Sequence, residues 1–517
     1  MEHTRRDYRL RFFSIILFAV LTVIGTVFSV YLLLYADTLY TYTVAVLFLV
    51  LSLISGFFNV TTSYWYYRSF FYKEHLDGIR KALMPLKVLP TVAVAVPVFN
   101  EDPKTVERSM LSLKGMNYPK GKLRFYLLDD SDDVAIASEL ERFSKSNQVT
   151  YLHRGSRKGY KAGALNNMLK HSKEDFVAVF DYDERLTDRD FLVDTLPYFS
   201  DKSVSYVQTE KRYAKGNLFS DSIDLFDAFF FRFVQPARAL NNTAIFAGSC
   251  GIIRKSALDD IGGFPEYIIE DTFFSFESDM KNYKSLYLPK VYAHGRPIRR
   301  FSELAKQQWR YNYGDTQFLK YFFSRRSEAR KKRQLSQISG IEYMTHGFGL
   351  NYLSSILLLF TLASVLIVFS SFPVAHVTLN QLFLTKNISL DLEILGVGAL
   401  LLSIAMPIVL TKLYFGSAKK GVMIFIVNFA LAGIRARAGL NAFFNLNPKF
   451  KWSRPKLANK LNILPAIRNS AFEIVLASVL LVFGTAAIAV DNFFGGMWLF
   501  WYSFLYSSTF YFFYKYG

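Results

Sequence analysis

The 517-residue chain has a single cysteine, Cys250, which excludes a disulfide framework and any cysteine-based metal site. Charge is also scarce: Asp, Glu, Lys and Arg together make up 20% of the residues, where a soluble protein usually carries more. That mean conceals long uncharged runs on either side of one charged central block. What is abundant excludes disorder, because hydrophobic residues reach 51% and aromatic ones 17%. The length excludes one small soluble domain. Against 42 acidic residues stand 61 basic ones, a formal charge of +19.

The long apolar runs predict about six membrane-spanning helices, since about 20 apolar residues are needed to cross the hydrocarbon. They lie at 12–35, 44–64, 349–372, 392–410, 474–490 and 494–513. No small-residue cleavage site follows the first run, so it reads as a helix and not a signal peptide. The stretch 421–434 is about 14 residues long and is flanked by basic residues on both sides, so it is expected to lie in the interface. Arg and Lys cluster before the first run, after the second and before the third, whereas the opposite loops hold only Lys386. The positive-inside rule then puts both termini and the central block in the cytosol of a multi-pass plasma-membrane protein. The +19 charge needs no nucleic acid, because juxtamembrane basic loops meet anionic membrane lipids. Asn387-Ile388-Ser389 forms a glycosylation sequon in an expected external loop.

The domain expectation is a helix pair over 1–84, a cytosolic domain over 85–324, and interfacial plus membrane helices over 325–517. In the central block, TVAVAVPV (91–98), LRFYLL (123–128) and DFVAVFD (175–181) read as buried strands, with helices at 103–114 and 161–171 between them. Such alternation predicts an α/β domain with a mainly parallel sheet, whose ligands bind beyond the carboxyl ends of the strands. The acids stand there: Asn100-Glu101, Asp129-Asp130, then Asp181 and Asp183. A pair such as Asp181 and Asp183 at a strand end can hold a divalent cation through oxygen while leaving room for phosphates. The basic, glycine-containing HRGSRKGYKAGALN (153–166) allows a phosphate close to the backbone, so the combination points to a nucleotide diphosphate. Glu270 and Asp271 open a helix, where acids often serve only the helix dipole. Gln307, Arg310 and Tyr311 sit close together on another, 301–315, with Trp309 beside them.

In this order the motifs resemble the membrane-embedded family 2 glycosyltransferases, the group containing cellulose and hyaluronan synthases. VPVFNE (96–101), LLDDSDD (127–133), YKAGALNN (160–167), DYD (181–183), FAGSCGIIRKSALDDIGGF (246–264), IEDT (269–272) and QQWRY (307–311) carry the likeness. Two positions depart from the pattern: Tyr311 replaces a Trp, and Ile269 replaces a Thr.

The resemblance implies a GT-A type, Rossmann-like domain inserted between transmembrane helices. It implies nucleotide contacts from Pro97, Asn100, Glu101, Asp129, Asp130, Lys161 and Asn166. It implies Mg2+ or Mn2+ on Asp181 and Asp183, with His294 as a third ligand; a satisfied structural histidine is the competing reading. Asp271 would be the general base, with Glu270 beside it and Arg310 on the leaving diphosphate. Gly248, Ser249, Gln307, Trp309 and Tyr311 would face the acceptor. The implied reaction moves a hexose from a UDP- or GDP-sugar, with inversion, to a lipid-linked or polysaccharide acceptor. The altered QxxRW motif and the absence of an appended regulatory domain favour a single transfer over processive synthesis. Transfer to a polyprenyl phosphate and a transporter with an inactive soluble domain are the other readings. PKFKWSRPK (448–456) stands where processive synthases carry a gating loop.

Overall fold

The computed structural model describes residues 2–84, 88–331, 336–370, 388–446, 463–490 and 492–517. Two of the expectations above, the loop 448–456 and the sequon residue Asn387, lie outside them.

Two long helices lead the chain, α1 (Glu2–Leu34) and α2 (Leu39–Ala82). The central block follows as β1 (Val92–Val98), α3 (Pro103–Leu113), β2 (Leu123–Asp129), α4 (Val134–Ser146), β3 (Thr150–His153), α5 (Tyr160–Leu169) and β4 (Phe176–Val179). Local chemistry starts these helices: Asp102 caps α3 with Pro103 in its first turn, and Asp133 caps α4 by accepting from the N–H groups of Ala135 and Ile136. Helical crossovers of this kind make neighbouring strands parallel, and β3, β2, β1 and β4 lie side by side in that sense. Val94, Val96, Leu127 and Ala178 bury one face of the sheet, and Ala93, Ala95, Leu128 and Val179 bury the other. This is why the strands read as unbroken apolar runs.

The remaining strands are β5 (Arg185–Leu186), β6 (Val204–Tyr213), β7 (Gly251–Arg254) and β8 (Lys284–Gly295), giving the order β3-β2-β1-β4-β7-β6-β8-β5. The sheet is mixed, since β7 runs antiparallel to both β4 and β6. It is a GT-A-like half-barrel with helices on both faces. The antiparallel insertion has a direct consequence. Val179 pairs with Gly251, so the end of β4 meets the beginning of β7, and Asp181 arrives beside Gly248 and Ser249. Gln208 pairs with the same Gly251, which brings the last residues of β6 to this edge as well.

After the short helices α6 (Phe191–Thr195), α7 (Leu218–Phe229), α8 (Gln235–Ala239) and α9 (Lys255–Ile261) come α10 (Glu270–Met280) and α11 (Phe301–Lys331). The C-terminal part is helical: α12 (Gln337–Val368), α13 (Ile388–Phe415), α14 (Ala418–Phe443), α15 (Ile463–Asn469), α16 (Ala471–Ala489) and α17 (Phe493–Tyr516). The expected boundary at 324 falls inside the continuous helix α11, and Tyr72 and Leu76 of α2 belong to the core of the sheet domain.

Among the described residues, four stretches are long and apolar enough to cross a membrane: Asp7–Leu34, Leu39–Ala82, Ala418–Phe443 and Ala471–Ala489. Of the other expected spans, two fall on the shorter apolar stretches Ser355–Val368 and Leu401–Phe415, and one on α17. The piece 421–434, expected to lie in-plane, is instead part of a 26-residue helix of spanning length. The helix does not stop at the two arginines because both are accommodated. Arg435 donates to Gln308 Oε1 and Asn428 Oδ1, and Arg437 pairs with Glu473 at 3.2 Å.

Candidate active site

The parallel strands β1, β2 and β4 end at one edge of the sheet, where the loops after them are tied together. Asn100 Oδ1 accepts from the N–H groups of Asp132 (3.1 Å) and Asp133 (3.2 Å), and its own N–H donates to Ser131 Oγ at 2.8 Å. Asn100 therefore joins two loops. Asp129 is fully buried, accepting from the Ser131 N–H at 2.9 Å and from the Tyr151 hydroxyl at 2.6 Å. Asp130 receives two donors from Arg154, Nε at 2.6 Å and Nη2. Beside them opens a cavity of about 660 Å³ lined by Phe99, Asp130, Tyr151, His153, Arg154 and Arg157. The Arg157 guanidinium lies 3.6 Å from the centre of the Phe99 ring. Asp130 lines this space, and Asp129 braces it from behind through Tyr151. Pro97 lies within β1 opposite Leu128, and Glu101 bonds to the Tyr182 hydroxyl.

Next to the cavity is a half-buried knot of charge. Lys161, on the first turn of α5, donates to Asp181 Oδ1 at 2.6 Å and to the Gly248 carbonyl at 2.9 Å. Lys211, near the end of β6, donates to Asp181 Oδ2 and to the Ala247 carbonyl, both at 3.3 Å. Ser249 Oγ is 2.9 Å from Asp181 Oδ2 and 2.7 Å from Glu184 Oε1, so its hydroxyl is turned toward carboxylates. Burial alone would raise the Asp181 carboxyl, but Lys161 and Lys211 hold it far below the usual range. Asp183 is the opposite case. Burial first, then the charges of Asp181 and Glu184, push it up to about 7 against the opposing charge of Arg296, and among the described residues it accepts one hydrogen bond, from the Arg296 N–H at 3.3 Å.

Glu270 and Asp271 enter from the first turn of α10. Burial raises both carboxyls, and with the negative charge of Asp271 added Glu270 reaches about 7. A Cβ at Gly248 would stand 3.0 Å from Asp271 Oδ2 and 3.7 Å from Lys161 Nζ, so Asp271 lies directly over this glycine. Arg310 of α11 feels the charges of Glu270 and Asp181, and its guanidinium is 5.4 Å from the Tyr311 ring centre. Tyr311 packs near Ile269 and Phe273 and feels the charge of Asp271, while Gln307 bonds to Tyr213.

Three expected site residues are placed elsewhere. Asn166 clamps α5 to the turn before α10, accepting from the Phe264 N–H at 2.7 Å and donating to its carbonyl at 2.8 Å. Trp309 stacks on Tyr313 (centroids 5.0 Å apart) and packs against Ala438 and Ala442 of α14, so it faces away from Asp271. His294, on β8, has Nδ1 3.2 Å from Thr187 Oγ1. Among the described residues, no three His, Cys, Asp or Glu side chains converge closely enough to hold a metal.

The donor chemistry nevertheless fits a divalent cation on the acid pair without His294. Asp183 is a hard oxygen donor beside Asp181 and Glu184, and among the described residues no side-chain cation hydrogen-bonds or ion-pairs with its carboxylate, which is the compensation such an ion would supply. Sequence reasoning missed Lys211 and Glu184. Lys211 sits in the strand segment QTEKRY with no motif around it, and only the β6–β7 register delivers it to Asp181.

The Gly248 geometry yields a prediction. Its φ of +79° is a conformation that costs an L-residue roughly 1–2 kcal/mol, and the new Cβ would push on Asp271. Gly248→Ala is expected to lower sugar transfer at least about tenfold, since small misplacements at a reacting centre are costly. If a nucleotide binds in the cavity at the other strand ends, calorimetry should show that binding retained.

Comparison with known proteins agrees with this architecture. Residues 93–262 match the model of glycosyl transferase family 2. The chain is 30% identical over 239 residues to the cellulose synthase catalytic subunit (UDP-forming) of Pseudomonas fluorescens (strain SBW25), covering 45% of this chain and 32% of that protein. It is 29% identical over 244 residues to probable glucomannan 4-beta-mannosyltransferase 11 of Oryza sativa subsp. japonica, covering 45% and 42%. The chain thus aligns with well under half the length of these relatives. Among solved structures it is similar to the mannosyltransferase PcManGT of Pyrobaculum calidifontis in complex with GDP-Man and Mn2+, at 19% identity and a TM-score of 0.46, over 73% of this chain and 95% of that one. Motif order, strand-end chemistry and the matched region together make the central block a glycosyltransferase family 2 domain, related to those of cellulose synthases and glucomannan mannosyltransferases.

Proposed function

We propose that the chain transfers a hexose from a cytosolic nucleotide sugar to a membrane-associated glycan, with inversion at the anomeric carbon. One observation carries this reading. Lys161 joins Asp181, at the end of β4, to the Gly248 backbone, and the Asp271 carboxylate stands over that same glycine. A cation suited to a diphosphate and a carboxylate suited to accept a proton would therefore stand side by side.

The nucleotide would lie in the cavity between Phe99, Tyr151 and Arg157, with its diphosphate directed toward Lys161. Arg310 would bind the departing diphosphate through its guanidinium. Asp271 would take the proton from the acceptor hydroxyl as that oxygen attacks the anomeric carbon from the face opposite the leaving group. A single displacement of this kind inverts the centre, giving a β-linkage from an α-linked donor. Asp183 and Asp181 would hold Mg2+ or Mn2+, which neutralises charge on the diphosphate.

The names of the relatives favour a second version of the same chemistry, processive synthesis. Single transfer to a lipid-linked glycan remains the first version, on the strength of the altered QxxRW motif. Turnover screens with UDP- and GDP-sugars test the reaction, and sizing of labelled product separates the versions. One added residue supports single transfer, whereas a ladder supports the synthase. Absence of turnover with every nucleotide sugar overturns the reading.

A further inference from the structure

Asp315 has no part in the chemistry above. It lies on α11 one helical turn beyond Tyr311 and two beyond Gln307, so the three side chains leave the helix in one direction, at i, i+4 and i+8. Its neighbour Gly314 is pressed against Ile269, the residue just before Glu270. A Cβ at 314 would stand 2.6 Å from Ile269 Cγ2. That close approach delivers Asp315 to the first turn of α10, where Asp271 is the one charge acting on it. Asp315 is 7% exposed, and among the described residues its carboxyl has neither a hydrogen bond nor an ion pair. The other two members of the row have protein partners, Tyr213 for Gln307 and Arg310 for Tyr311. Burial, with Asp271 adding to it, holds the Asp315 carboxyl well above the usual range.

A buried polar group without a partner is destabilising, and an apolar replacement would remove that cost. Its position suggests what the missing partner is. Sugars present several hydroxyls along one edge, and carboxyl groups bind them by accepting the O–H hydrogen, or by donating when protonated. If Asp271 of α10 takes the proton from the reacting hydroxyl, Asp315, brought up to it by the adjoining helix α11, meets the next part of the acceptor.

We propose that the Asp315 carboxyl binds a hydroxyl of the acceptor glycan, making Gln307, Tyr311 and Asp315 a track along α11 that sets the acceptor against Asp271. This rests on the glycosyltransferase reading and adds an acceptor subsite to it. Asp315 positions the acceptor and takes no proton from the reacting oxygen.

The test uses the full-length protein in detergent or nanodiscs, with UDP-glucose or GDP-mannose as donor and cellobiose or β-1,4-mannobiose as acceptor probe. Two rates are read: donor hydrolysis by water, and transfer to the disaccharide. Asp315→Leu should raise the acceptor KM by on the order of tenfold to a hundredfold, the range expected for losing one charged or strong hydrogen bond. Donor hydrolysis should stay within about twofold. Asp315→Asn, which keeps an acceptor and a donor at the same place, should restore most of the affinity. If the leucine variant does not fold, Asp315→Ala is read in its place.

An unchanged acceptor KM overturns the proposal. So does parallel loss of hydrolysis and transfer in both the apolar and Asn variants, which marks a structural residue. Donor hydrolysis without elongation of either disaccharide also counts against a glycan track. Wild-type protein that turns over neither donor refutes the underlying enzyme reading, a result distinct from failure of the Asp315 subsite alone.

Discussion

Asp271→Asn is expected to lower transfer by roughly a thousandfold or more while leaving nucleotide binding within about twofold, a general base being worth 10²–10⁴ in rate. The amide fills the same space and accepts from the Thr272 N–H as the carboxylate does at 2.8 Å, so the fold should be undisturbed. It cannot take a proton. Glu270 does not replace it, because Asp271 is the carboxylate that stands nearest the Gly248 position. The pH profile gives a second readout. Burial raises the Asp271 carboxyl and, with the help of Asp271's charge, carries Glu270 to about 7. A base must be ionised, so wild-type activity should rise with pH through a limb displaced from the ordinary carboxylate range of about 4 toward neutrality. Residual activity of the Asn variant should lack that limb. Labelled-product assays across pH, with calorimetry for nucleotide binding, measure both, and an undiminished rate at any pH contradicts the assignment.

How much of this was legible in the sequence differs between strand ends and helix faces. Asp181 and Asp183 were readable because a buried apolar strand that ends in acids sets carboxylates at the ligand-binding edge of the sheet, and the strand is where the run DFVAVFD places it. Lys211 was not, because nothing local marks it. Its role comes from β7 running antiparallel between β4 and β6, a pairing set by tertiary contacts. The expectation of a mainly parallel sheet was correct for β1 to β4, where helices alternate with strands, and again for β6 beside β8; what it lacked was the antiparallel β7 between the two groups, and β5 at the far edge. Helix α11 shows a different limit. Its motif QQWRY was visible, but which side chains face the cleft depends on the helix's rotation against α10 and α14. Arg310 and Tyr311 turn toward the acids, whereas Trp309 turns toward Ala438 and Ala442. Asn166 was read as a nucleotide contact from its motif, yet both ends of its amide serve the Phe264 backbone. In α14 the hydropathy pattern broke at Arg435 and Arg437, and only their partners on α11 and α16 show why the helix continues.

Asp183→Ala is expected to lower nucleotide-sugar turnover by about a thousandfold and to abolish any increase in nucleotide affinity on adding Mg2+ or Mn2+. The magnitude follows from the several kcal/mol that a divalent cation supplies to a departing phosphate, at about 1.4 kcal/mol per tenfold in rate. Asp183 is the more telling position than Asp181 because the two carboxylates differ in their neighbours. Asp181 is already compensated by two lysines in direct contact, whereas Asp183 faces Asp181 and Glu184 with, among the described residues, one backbone N–H as its donor and only the more distant charge of Arg296 against them. Removing Asp183 therefore removes repulsion among buried like charges, and the metal-free variant should melt no lower than the wild type. A merely structural aspartate would give the opposite result. His294→Ala separates the two metal readings: with its ring against Thr187, its loss should change the metal response by less than about threefold. Titrating Mn2+ against nucleotide affinity in the wild type and both variants decides this, since equal metal responses in the wild type and Asp183→Ala remove the acid pair as the cation's site.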